Sequence, residues 1–193
     1  MAVVAPITAV GSAALPVLWD VLSGERLTTL NLLGILIGLT AIVLVSSTPG
    51  HVGKVPRGLV LEAMLAGAGF GGFMIAIDAT DSATTPWPLV AARIVAAGLA
   101  VILILRSGGS PIPRRSDGAL GAIVAAGIFD MTGNLAFLLA VNHGRLSLMA
   151  TISALYPAMT VLLARTVLDE RMSANQIVGM VVAVGAVGLM VGG

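Results

Sequence analysis

The chain has no cysteine, and charge is scarce: aspartate, glutamate, lysine and arginine together make up 10% of its 193 residues. Without cysteine there is no disulfide, no thiolate nucleophile and no thiolate metal ligand. Soluble domains carry roughly one quarter charged residues, so this composition argues against one. The net charge of +1 offers no basic field, which excludes nucleic acid as a partner. The two histidines, His51 and His143, fall in predicted loops without ligand-spaced neighbours, so a metal site has no basis. No serine–histidine pair is placed for hydrolysis within the apolar sequence. The glycine-rich run at 67–72 lacks the strand context and acidic partner of a nucleotide site, so its expected role is helix packing and ATP drive has no motif. The residue inventory predicts no enzyme, no metal and no cofactor.

What is present is apolar sequence in long blocks. Hydrophobic residues reach 58%, and residues 27–47 and 172–193 contain no charged side chain. A helix needs about 20 apolar residues to cross the roughly 30 Å hydrocarbon core of a bilayer. Hydrocarbon offers no partner to backbone N–H and C=O groups, so only helices or closed barrels cross it. The runs here are continuous rather than alternating, which excludes a barrel. The first run, residues 2–19, lacks a basic leading segment and contains Pro6 and Pro16, so it reads as a mature helix rather than a signal peptide. The fold class expected is an all-α polytopic membrane bundle of about seven transmembrane helices.

Those helices are predicted near 3–23, 29–47, 59–78, 86–105, 119–141, 146–167 and 174–192. Thr85-Pro86 is expected to cap the fourth with a hydroxyl followed by a proline tolerated in the first turn. Ser173 and Gln176 have capping-box spacing. Thr48-Pro49-Gly50 and the segment from Ser107 to Pro111 stop helices. Pro16 and Pro157 lie inside predicted helices, where each removes a backbone hydrogen bond and should bend its helix.

The sequence also repeats itself. Residues 23–34 align with residues 168–179 at an offset of 145: Glu25-Arg26 matches Glu170-Arg171, Thr28 matches Ser173, Asn31 matches Gln176, and Gly34 matches Gly179. The local role expected of this motif is a charged turn, a cap and a small packing residue. The first helix thus corresponds to the sixth and the second to the seventh. An offset of five helices is odd, so the copies cross the membrane in opposite directions, an inverted-repeat architecture associated with secondary transporters. On this reading residues 1–47 hold the last two helices of a first repeat, 48–58 an inter-repeat loop and 59–193 a complete second repeat of five. Three helices would then precede Met1. Gly34 and Gly38 would face partners partly missing from the chain, with self-association, a homo-oligomer, as compensation.

These residues resemble the drug/metabolite transporter superfamily, EamA type. The resemblance rests on Gly24-Glu25-Arg26-Leu27 with Gly34, and on Leu155-Tyr156-Pro157 leading to Asp169-Glu170-Arg171-Met172 with Gln176 and Gly179. Ala91-Ala92-Arg93 and the segment from Ala140 through Gly144-Arg145-Leu146-Ser147 also fit. It covers essentially the whole chain. It implies ten helices in an inverted five-plus-five repeat, of which this chain resembles helices four to ten, and a permease or exporter of a small metabolite or drug-like molecule. The location implied is the bacterial inner membrane.

Ionisable groups at membrane depth are expensive and face a cavity or a partner. Asp130, within GIFDMTGNLAF, is the deepest, and Asn134 follows one turn later on the same face. They read as a substrate- or proton-binding pair, or as a helix–helix hydrogen bond. Arg93 offers itself to an anionic group, to an ion pair, or to snorkelling towards the interface. Asp20 is expected to pair with Arg26 or face the pathway, and Glu62 to be interfacial. Phe70 and Phe73 flank small residues and either line a pocket or pack. Tyr156 beside Pro157, with Ser153 one turn earlier, is the better pocket candidate, because the phenol wants a polar partner. Basic residues in the loops favour a cytoplasmic start, whereas the resemblance implies the reverse orientation. Two functions remain in view: a non-ATP transporter, and a non-transporting membrane scaffold or partner subunit.

Overall fold

The computed structural model describes residues 4–46, 56–110, 120–169 and 171–193. In them the chain forms helices α1 (Val4–Leu22), α2 (Thr29–Ser46), α3 (Arg57–Asp78), α4 (Trp87–Arg106), α5 (Leu120–Val141), α6 (Leu146–Ala154), α7 (Tyr156–Val167) and α8 (Ala174–Gly192), with a single 3₁₀ turn at Ser82–Thr84. With α6 and α7 taken as one interrupted span, seven spans among the described residues are long and apolar enough to cross a membrane. This is an all-α integral membrane protein.

Helix ends follow local chemistry at most positions. Ser173 Oγ accepts the Gln176 amide at 3.3 Å while Gln176 Oε1 accepts the Ser173 amide at 2.9 Å, a complete capping box on α8. The start of α2 repeats the arrangement: Thr28 Oγ1 accepts the Asn31 amide at 3.1 Å, and Asn31 Oδ1 accepts the Thr28 amide at 3.4 Å. The start of α4 departs from expectation. Pro86 is itself the cap residue, Pro88 occupies the first turn, and the buried Thr85 hydroxyl has no hydrogen-bond partner. The missing N–H of Pro88 makes a side-chain cap there less necessary.

The two internal prolines behave differently. Helix α1 runs on through the buried Pro16. At Pro157 the sixth span is interrupted: α6 stops at Ala154, Leu155 forms a turn, and α7 starts at Tyr156. Pro157 has no N–H to return to the Ser153 carbonyl four residues back. The consequence is a one-residue turn at Leu155 (φ −75°, ψ 5°) within a span that runs from Leu146 to Val167, a local distortion of the kind expected at the proline.

The chain divides into two compact units, Met1–Ala76 with Gly144–Gly193, and Ile77–His143. In the first, α2 lies antiparallel along α8 and α1 lies along α6. Without a hydrophobic driving force inside a bilayer, helices associate by close packing that small residues permit. A Cβ at Gly34 would stand 2.7 Å from the Met190 Cγ, and one at Gly179 would stand 2.8 Å from the Val45 backbone nitrogen. Gly38 packs against Thr151, Met190 and Ala186. Gly34 and Gly38 are therefore buried within this chain and do not await missing partners, as the sequence had suggested. Helices α1 and α3 approach in the same way, at Gly11 against Gly67 and at Ser12 and Leu15 against Gly71. The Thr8 hydroxyl donates to the Ala63 carbonyl at 3.3 Å across that contact.

In the second unit, α4 and α5 are exposed along most of their length, with Leu89, Phe137, Leu138 and Val141 among the few buried side chains. A lipid-facing helix is expected to look like this, because hydrocarbon solvates its apolar residues.

Candidate functional site

Beside the turn at Leu155 lies an open groove of about 460 Å³, lined by Ser153, Leu155, Tyr156 and Met159 of the sixth span and by Ala183, Val184 and Val187 of α8 among others. Ser153 and Tyr156 share one side because they stand three residues apart across the break. Ser153 and Tyr156 are the polar residues of a lining that is almost wholly apolar, and no lining side chain carries a charge at neutral pH. Tyr156 is half-exposed.

A polar network holds α6, the first half of the broken span. The Asp20 side chain, 5% exposed at the end of α1, accepts the Ser147 amide through Oδ2 at 2.8 Å. Ser147 lies in the first turn of α6, so Asp20 caps that helix from another element. Helix N-termini carry partial positive charge and favour such a carboxylate. Next to it in sequence, Arg145 donates from Nη1 to Asn31 Oδ1 at 2.9 Å, and Asn31 Nδ2 donates to the Met190 carbonyl at 3.1 Å. Thr151 closes the network by donating to the Ser147 carbonyl at 2.7 Å. Asp20 thus serves α6 instead of pairing with Arg26, which lies on the exposed surface.

In the second unit, Arg93 of α4 and Asp130 of α5 form an ion pair with both side chains about half-exposed. Asn134 donates to the Asp130 carbonyl at 2.7 Å and to its carboxylate at 3.3 Å. The carboxylate is thus held from two sides. This agrees with the ion-pair alternative for Arg93 and with the shared face of Asp130 and Asn134.

Phe70 and Phe73 stack on each other, with centroids 6.2 Å apart, and do not line the groove beside the turn. Of the repeated motif, Glu25, Arg26 and Arg171 are exposed, Gly34 and Gly179 are packing contacts, and Gln176 completes a cap. Glu170 lies outside the described residues. Glu62 is exposed on α3. Among the described residues, no group of three or more His, Asp or Glu side chains is placed to hold a metal. The contributions of Asn31 and Arg145 to the network, and of Met159, Ala183, Val184 and Val187 to the groove, were not foreseen. Asn31 and Arg145 had a signal, since each stood within a recognised motif; the apolar wall had none.

The sequence profile of the EamA-like transporter family matches residues 58–192. The chain belongs to that family. A solved crystal structure superposes on 98% of this chain and 68% of its own, with a TM-score of 0.78 at 20% sequence identity. That likeness shows a shared fold. Comparison with curated proteins finds no significant match. The family match covers the five spans from α3 to α8, and the family is one of membrane transporters.

Proposed function

We propose that this EamA-like protein is a secondary transporter that moves a small molecule without ATP, and that its substrate is held at the interruption of the sixth span. The observation that carries this reading is the turn at Leu155 within the sixth span, with Ser153 and Tyr156 among the residues that line the groove beside it. Transporters bind substrate where spans are discontinuous, because irregular backbone at membrane depth persists only where it is buried or lines a cavity. Residues 1–47 act as the last two helices of a first repeat and residues 59–193 as a complete second one. The reciprocal contacts of Gly34 with Met190 and of Gly179 with Val45 support that division, since the offset of 145 carries each onto the other. The bacterial inner membrane is the location that suits this reading.

The test is comparative metabolite profiling of cells making the wild-type chain or a Ser153→Trp variant, which fills the groove with an indole. With equal amounts of protein in the membrane, the reading expects a set of compounds whose distribution across the membrane changes with wild type and not with the variant. Identical profiles for wild type, variant and empty cells would favour the scaffold role instead.

A further inference from the structure

We propose that the face of the sixth span from Ser153 to Thr160 seats a transmembrane helix of a partner polypeptide, the counterpart of α3 on α1. The 145-residue offset holds in the packing as well as in the sequence. Ala9 and Ala154, Gly38 and Ala183, and Ala41 and Ala186 are pairs at that offset, and both members of each pair are buried. Two unrelated apolar helices would not bury the same register.

On one face the offset fails. The Thr8 hydroxyl of α1 donates to the Ala63 carbonyl of α3 at 3.3 Å. A Cβ at Gly67 would stand 2.8 Å from the Thr8 carbonyl oxygen, and one at Gly71 would stand 3.0 Å from Leu15 Cβ. These contacts ascend together along both helices, so α1 and α3 run parallel. The offset carries Thr8, Gly11 and Leu15 onto Ser153, Tyr156 and Thr160. Gly11 and Leu15 are partly buried, whereas Tyr156 is 44% exposed and Thr160 is exposed. Tyr156 also stands midway along the span from Leu146 to Val167, where lipid tails offer its phenol no hydrogen-bond partner.

The occupant is an apolar helix parallel to the sixth span, with small residues four apart, as Gly67 and Gly71 are in α3. One of its carbonyls accepts from Ser153 as Ala63 does from Thr8. Tyr156 replaces a glycine, so the approach there is wider and the phenol reaches a polar group on the partner. Helix α3 is itself held by α1, and the position the offset assigns to its counterpart lies outside residues 1–193. Another polypeptide therefore supplies the helix to this chain. The solved structure of the same fold superposes over 68% of its own length, so this fold is compatible with further elements packed on it. Seated there, the helix stands between the groove and lipid, whether or not the groove holds substrate.

The absence of cysteine makes the test direct. The probe is a synthetic peptide with the sequence of residues 57–78 carrying Gly67→Cys, added to the chain in lipid nanodiscs under mild oxidation. The chain carries Tyr156→Cys or, as control, Val181→Cys at an exposed position of α8 outside the groove. Disulfide rates are divided by each thiol's rate with N-ethylmaleimide. Thr160→Cys with a Gly71→Cys peptide repeats the measurement if Tyr156→Cys does not assemble.

The proposal expects the peptide to couple to Tyr156→Cys about tenfold faster than to the control, a ratio within reach of a few packing contacts. Adding Gly71→Leu to the peptide should abolish that preference. Equal rates at the two positions, or no coupling at either, would overturn the seat. A preference that survives Gly71→Leu would mean that the face is merely accessible, which also overturns it. Coupling of Tyr156→Cys chains to one another as fast as to the peptide would make a second copy the occupant and overturn the partner. None of these outcomes bears on substrate, which the Ser153→Trp profiling tests separately.

Discussion

Gly34 packs on Met190 and Gly179 packs on Val45, and the 145-residue offset that relates the two glycines also relates Val45 to Met190. One contact is thus made twice, at opposite ends of the α2–α8 pair. The two ends differ in how much they can yield. At Gly34 a Cβ would meet Met190 Cγ at 2.7 Å, with backbone atoms no closer than 3.1 Å; at Gly179 it would meet the Val45 nitrogen at 2.8 Å and Leu44 Cβ at 2.9 Å. A methionine side chain can turn aside and a backbone cannot. Gly179→Ala is expected to destabilise by about 1–3 kcal/mol, within the usual range for overpacking, and Gly34→Ala by less. Thermal unfolding in a fixed detergent measures both, and equal losses would contradict this account of the contact.

Asp20 supplies a second prediction. Its carboxylate caps α6 from α1, so Asp20→Ala leaves the first turn without that acceptor, which costs about 0.5–2 kcal/mol for a typical cap. Asp20→Asn keeps a side-chain oxygen and should retain most of the stability. Melting temperatures of the two variants check this, and an alanine variant as stable as wild type would remove Asp20 from the positioning of α6.

The Arg93–Asp130 pair yields a third. Asp130→Asn preserves shape and the Asn134 contact, and is expected to fold and reach the membrane while lowering transport. Asp130→Leu should impair assembly. Exchanging the two residues, Arg93→Asp with Asp130→Arg, should recover assembly beyond either single change, because the pair is restored in reverse. If Asp130→Asn transports normally while Asp130→Leu fails to assemble, the pair is structural only.

Helix number and length were legible because crossing a bilayer demands about 20 apolar residues whatever the fold, and each observed span end falls within a few residues of expectation. The buried face of α2 was not legible. That helix is apolar all round, so nothing in its pattern distinguishes the side that meets α8 from the side that meets lipid. Gly34 and Gly38 were misplaced for that reason. Pro157 announced a distortion, but its extent depends on its neighbours, as the uninterrupted α1 around Pro16 illustrates. Asp20 and Ser147 are 127 residues apart in sequence, beyond any local pattern. Ser153 and Tyr156 were legible as a pair because their spacing and the adjacent proline are local facts.

The measurement that bears most directly on the central claim is sided labelling at the break. Single cysteines at Ser153, Tyr156 and Val181 are introduced into the chain, which has no others, and exposed to a membrane-impermeant cationic methanethiosulfonate in intact membranes. A substrate pathway through the break predicts that Ser153→Cys and Tyr156→Cys react, because water reaches them, while Val181→Cys on the outer face of α8 stays unmodified in hydrocarbon. If Ser153→Cys and Tyr156→Cys are as inert as Val181→Cys from both sides of the membrane, the break is packed against lipid and the proposed site is wrong.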